Sequence, residues 1–113
     1  MNRDPRLPLT ETTFYVLLAL RRPAHGYLVM ARVEQLSAGQ VRLAAGTLYG
    51  ALENLARQRL IVQVGSIDPR RKVYQITDHG LSVLELDAQR MRHMTRALEA
   101  APFDEQGAGD ATT

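Results

Sequence analysis

The sequence predicts a mainly α domain that carries one small β-hairpin and ends in a long helix. Three observations predict it. Apolar residues recur at three- and four-residue steps in four separate stretches, the period of a helix with one buried face. Between the third and fourth stretches the pattern switches to β-branched residues on either side of a polar, proline-bearing tip. The chain has 113 residues, the size of one domain, and 45% of them are hydrophobic, enough for a core.

The first stretch is residues 9–22. Thr10 can cap its N-terminus, Glu11 suits the positive end of the helix dipole, and Arg21 and Arg22 suit the negative end. Pro23 stops it. From Phe14 to Leu20 it is apolar without a break, so it is expected to need neighbours beyond its own fold. The second, residues 25–37, sets Gly26, Val29, Met30, Val33 and Leu36 on one stripe and Arg32, Glu34 and Gln35 off it. Ser37-Ala38-Gly39 ends it, and a short extended stretch is expected at 40–43. The third, residues 46–59, turns Leu48, Ala51, Leu52 and Leu55 inward. Its other face shows Thr47, Tyr49, Gly50, Glu53, Asn54 and Arg57.

Residues 60–65 and 72–77 read as the two hairpin strands, with Tyr74 and Ile76 on the core face and residues 66–71 as a basic tip. Thr77 then caps the last helix, Asp78 and His79 following in its first turn. Leu81, Leu84, Ala88, Met91, Thr95 and Leu98 make a seam that packs lengthwise on another helix. After Ala101-Pro102 the composition turns to Gly, Asp, Ala and Thr, the character of a disordered tail. The expected organisation is a body at 1–77, a dimerisation helix at 78–100 and an acidic tail at 101–113. Aromatics make up only 5% of the chain, so a partner subunit is expected to add buried area.

Composition narrows the function. The first 98 residues hold all 14 basic and 8 of the 12 acidic side chains, a balance of +6, which points to an anionic partner. Cysteine is absent, which excludes disulfides and zinc–thiolate sites. No apolar run approaches the roughly 18 residues that cross a bilayer, and residues 1–8 have no signal-peptide core. The expected compartment is the cytoplasm, with no membrane contact. His25, His79 and His93 sit on separate segments without ligand spacing, so no metal site is expected. Neither a nucleophile–base arrangement nor a phosphate-cradling loop stands out, so no catalytic residue and no cofactor are expected.

Helix–helix–helix–hairpin–helix is the order of a winged helix-turn-helix. In that module a helix with small and polar residues near its start enters the DNA major groove, and a basic hairpin reaches the backbone or minor groove beside it. Phosphate contacts position the protein; base-edge contacts read sequence.

The chain carries, in order, His25-Gly26-Tyr27, Gly46-Thr47-Leu48-Tyr49 with Leu52, Leu60-Ile61, and Arg71-Lys72-Val73-Tyr74-Gln75-Ile76-Thr77 with Gly80. This set resembles the PadR family of bacterial transcriptional regulators, its small-type branch in particular, over about residues 9–98. The resemblance implies a homodimeric repressor that binds double-stranded operator DNA, its C-terminal helices clasped around the first helices. It implies DNA contacts from Thr47, Tyr49, Gly50, Asn54 and Arg57 on the third helix. Arg70, Arg71 and Lys72 on the wing, and His25 and Tyr27 at the second helix, complete the set. Phe14, Tyr15, Leu18, Leu84, Ala88, Met91, Thr95 and Leu98 become the expected dimer interface, with room for a small-molecule effector between subunits.

Two departures stand out. Ala44-Ala45 occupy the place where the family often has Ser-Pro, and Gly50 stands where Pro is frequent; both weaken the start of the third helix. Some small members hold planar drugs between tryptophans, but this chain has no Trp. The competing reading is a winged-helix module that binds another protein and not specific DNA.

Overall fold

The structure, a computed structural model, describes residues 4–103; of the expected acidic tail, residues 104–113 lie outside it. Its elements are α1 (Glu11–Ala19), β1 (Ala24–His25), α2 (Gly26–Leu36), α3 (Ala45–Arg57), β2 (Ile61–Ser66), β3 (Lys72–Ile76) and α4 (Asp78–Glu99). This is the mainly α winged-helix order that the hydrophobic periods predict.

Thr10 caps α1, its hydroxyl accepting from the Thr13 backbone N–H at 3.1 Å. The other end differs from expectation. Helix α1 stops at Ala19, and Arg21 and Arg22 lie beyond it. The Arg32 guanidinium reaches over from α2 instead, donating to the carbonyls of Ala19 at 2.9 Å and Arg22 at 3.0 Å. Helix ends leave orphan carbonyls, and a long side chain on a packed neighbour can satisfy two at once.

The three helices close on Val16, Leu17, Leu20, Val29, Val33, Leu48, Leu52 and Leu55, all buried. Each such side chain contributes roughly 1.5–3 kcal/mol by leaving water. Helices α2 and α3 both end in a left-handed residue that is not glycine, Ala38 (φ 52°) and Arg59 (φ 62°). Behind each, a backbone N–H bonds five residues back: Gly39 to Glu34 at 2.8 Å and Leu60 to Leu55 at 3.0 Å. Ser37, buried after α2, accepts from the Val41 N–H at 2.9 Å and so fixes the turn toward α3.

The sheet has three strands, ordered β1-β3-β2, all antiparallel. The extended stretch expected at 40–43 forms no strand. The third strand is β1, whose Ala24 and His25 pair with Tyr74 and Val73. A bulge between Gln63 and Gly65 interrupts the β2–β3 ladder, and past it the two strands project as a wing. Beyond Ile61, every residue of β2 is exposed.

Thr77 joins the body to α4. Its hydroxyl donates to the Arg59 carbonyl at 2.8 Å and accepts from the Gly80 N–H at 2.9 Å. Gly80 must be glycine. A Cβ there would collide with the Leu60 carbonyl oxygen and stand 2.8 Å from Ile76. Helix α4 packs its first half against α1 and β3. Residues 92–100 are exposed throughout, so the seam positions Thr95 and Leu98 are open to solvent.

Candidate nucleic-acid interface

Helix α3 is set by its buried stripe Leu48, Leu52 and Leu55, which turns the opposite face outward. That outward face is small at its start. A Cβ added at Gly46 or Gly50 would meet nothing within 4 Å. Ala44 holds the N-cap position with extended backbone but offers no side-chain cap. The backbone N–H groups of an uncapped, exposed helix start favour an anion.

One flank of α3 faces the wing. Tyr49, Leu52, Glu53 and Ala56 share a groove with Gly26 of α2 and with Arg70, Arg71, Lys72 and Tyr74 of the hairpin. Tyr49 is 46% exposed, and its ring rests on α2: a Cβ on Gly26 would lie 2.8 Å from the Tyr49 hydroxyl. The Gly26–Tyr49 pair therefore works as one unit, a bare backbone that receives the ring.

The wing tip is built around Asp68. Its carboxylate accepts from the backbone N–H groups of Arg70 at 2.9 Å and Arg71 at 3.0 Å, and from the Arg71 guanidinium at 2.8 Å. The Arg70 N–H above all, then the Arg71 side chain, hold the Asp68 carboxyl below its ordinary value. Arg71 is thus partly spent on its own wing. Arg70 and Lys72 are exposed and make no ion pair among the described residues.

The expected contact residues do not all converge. Tyr49 and the three wing cations line one groove, and Thr47 and Gly50 are exposed near Tyr49 on α3. Tyr27, 66% exposed on the first turn of α2, stands one residue from Gly26. His25 opens α2 as its N-cap, without a side-chain cap bond, and is at the same time a half-buried residue of β1 paired with Val73. Asn54 lies on the far flank of α3, sharing a groove with Arg6, Thr10 and Thr13. Arg57 pairs with Glu53 at 3.4 Å.

The expected dimer residues divide in the same way. Leu84 is only 5% exposed, packed into the chain's own core, and has little surface to give a partner; the α4 seam turns inward there because Gly80 draws the first turn onto Leu60. Phe14, Tyr15, Leu18, Ala88 and Met91 are half-buried, whereas Thr95 and Leu98 are exposed, Leu98 at 79%. Between α1 and α4 lies a cleft lined by Leu9, Glu11, Phe14, Tyr15, Asp87, Arg90 and Met91. Asp87 is buried there and bonded to Arg90 Nε at 2.7 Å. The sequence reading missed this pair and the Asp68 tip; the three-residue spacing of each was the available signal.

Among the described residues no helix is long and apolar enough to cross a membrane, and no three His, Asp or Glu residues gather in a metal-holding group.

Comparison with known proteins agrees with this geometry. A crystal structure of a PadR family transcriptional regulator from Eggerthella lenta is 29% identical. It covers 82% of this chain and 83% of its own, with a TM-score of 0.62. A PadR family transcription regulator from Clostridium difficile shares the fold at 24% identity and a TM-score of 0.61, covering 77% of this chain and 93% of its own. An uncharacterized 37.1 kDa protein in a Streptomyces fradiae transposon is 36% identical over 97 residues. That match takes in 84% of this chain, which spans about a quarter, 27%, of that relative's length. The profile of the transcriptional regulator PadR-like family matches residues 16–86, the stretch from α1 into α4, and the chain belongs to that family.

Proposed function

We propose that the chain is a homodimeric repressor that places α3 in the major groove of an operator and holds the flanking backbone with its wing. One observation carries this reading: the Tyr49–Glu53 flank of α3 and the cations of the wing border a single groove, on a helix whose Gly46 and Gly50 are open to solvent. Arg70 and Lys72 supply phosphate affinity, and Thr47, Tyr49 and Gly50 make the close approach to base edges. Tyr27 supports the sugar–phosphate backbone beside them. Arg71 joins when a phosphate displaces Asp68. Arg57 and Asn54 serve the outer face and far flank of α3, and His25 acts by setting the start of α2.

The exposed end of α4 supports the dimer. Met91, Thr95 and Leu98 would pack on the partner with Phe14, Tyr15, Leu18 and Ala88, and the α1–α4 cleft beside them would take an effector. Binding there would change the separation of the two α3 helices, which must match roughly 34 Å of DNA.

A gel shift on the DNA flanking the chain's own gene, at two salt concentrations, tests the function. Strong, salt-sensitive binding to that fragment over random duplex supports it. Binding to neither would favour the second reading, a protein-interaction module, for which the exposed Val62, Val64 and Ile67 of the wing speak; equal binding to both would mean nonspecific coating of DNA.

A further inference from the structure

Helix α3 carries one carboxylate, Glu53, and one cation, Arg57, and the two pair with each other at 3.4 Å. The surface proposed to meet DNA therefore has an acidic group at its centre. Glu53 stands one turn past Gly50, its side chain 78% exposed, in the groove that Arg70, Arg71 and Lys72 border. As a surface ion pair it adds little to the helix. Against a phosphate backbone it repels.

We propose that Glu53 is a specificity-determining residue, accepting a hydrogen bond from the exocyclic amino group of a cytosine in the major groove. This rests on the DNA-binding reading above. The chemistry leaves few other favourable partners for a carboxylate in that groove: guanine presents acceptors only, thymine an acceptor and a methyl group, adenine a donor beside an N7 acceptor that repels the second carboxylate oxygen, and cytosine an N4 amino donor. The bare backbone at Gly46 and Gly50 lets α3 sink far enough for a side chain one turn on to reach a base edge. Arg57, released from Glu53, is placed for the N7 and O6 acceptors of a neighbouring guanine. On a wrong sequence the same carboxylate faces acceptors and phosphates, so it lowers affinity for random DNA while sparing the operator.

The test is selection from a randomised duplex library by the full-length wild-type chain and by Glu53→Gln, with affinities measured on single-base variants of the recovered site. The exposed side chain makes the substitution mild for the fold, and a thermal melt confirms it. The expected result is a cytosine preference at one position in the wild type that falls roughly tenfold or more in Glu53→Gln and moves toward adenine, which glutamine pairs bidentately. Affinity for random duplex should rise as the negative charge is removed. A wild-type chain that selects a sequence, with an unchanged preference at every position in Glu53→Gln, overturns the inference and leaves the DNA reading standing. A wild-type chain that selects nothing overturns both.

Discussion

Helix α3 and the wing border the same groove with opposite chemistry. The helix is electrically neutral, its single carboxylate and single cation paired, and its leading face is stripped to glycine. The wing tip has three cations and one carboxylate over five residues, on a hairpin with almost no core of its own. The difference teaches that affinity and selectivity can be divided between neighbouring elements. A neutral, narrow helix gains little from any duplex until its base contacts match, whereas a cationic hairpin gains from every duplex.

The largest expected effect comes from the wing. Replacing Arg70 and Lys72 together by Ala should weaken binding to every sequence by on the order of 3 kcal/mol, at about 1.5 kcal/mol for each charge-assisted contact. The log–log salt slope should lose roughly 0.9 per contact. An unchanged slope would remove the wing from the interface. Next comes the bare face of α3. Gly50→Leu adds bulk into open space, so the isolated protein should keep or raise its melting temperature, glycine being a poor helix former. Operator affinity should fall by about 1–3 kcal/mol, the cost of overpacking a close interface. Loss of both stability and binding would mean that Gly50 faces the protein.

Ala44→Ser sharpens the comparison from the other side. The N-cap backbone is already extended, so a hydroxyl there should stabilise the fold by about 1 kcal/mol in denaturant unfolding. The smallest effect is at Asp68. Asp68→Asn keeps an oxygen for the Arg70 and Arg71 N–H groups but frees the Arg71 guanidinium, so the salt slope should steepen by up to about 0.9. The folded carboxyl lies below its ordinary value of 3.8, so its contribution is complete above that value and fades only as pH falls through the lower one. Between pH 5 and 8, binding by the wild-type wing should therefore not follow Asp68.

The order of elements was legible because it rests on local signals: the stripe Leu48, Leu52 and Leu55, the caps Thr10 and Thr77, the β-branched run after Leu60. The wing cations were legible as three adjacent charges. What escaped depended on partners distant in sequence. Two residues, Ala24 and His25, are too few to display alternation, so β1 is visible only once β3 lies beside it. Arg32 reads as a solvated helix charge until the end of α1 is seen under it. Leu84 belongs to the seam by spacing, yet the close approach at Gly80 rotates it into the chain's own core. Arg71 looked like its neighbours Arg70 and Lys72, and only the folded tip shows it held by Asp68.

The division of labour is tested most directly by letting the wild-type chain and the Arg70→Ala/Lys72→Ala variant select from one randomised duplex pool. The account predicts the same preferred bases at the same positions in both, at weaker absolute affinity for the variant. A wing variant whose preferred bases change would contradict it.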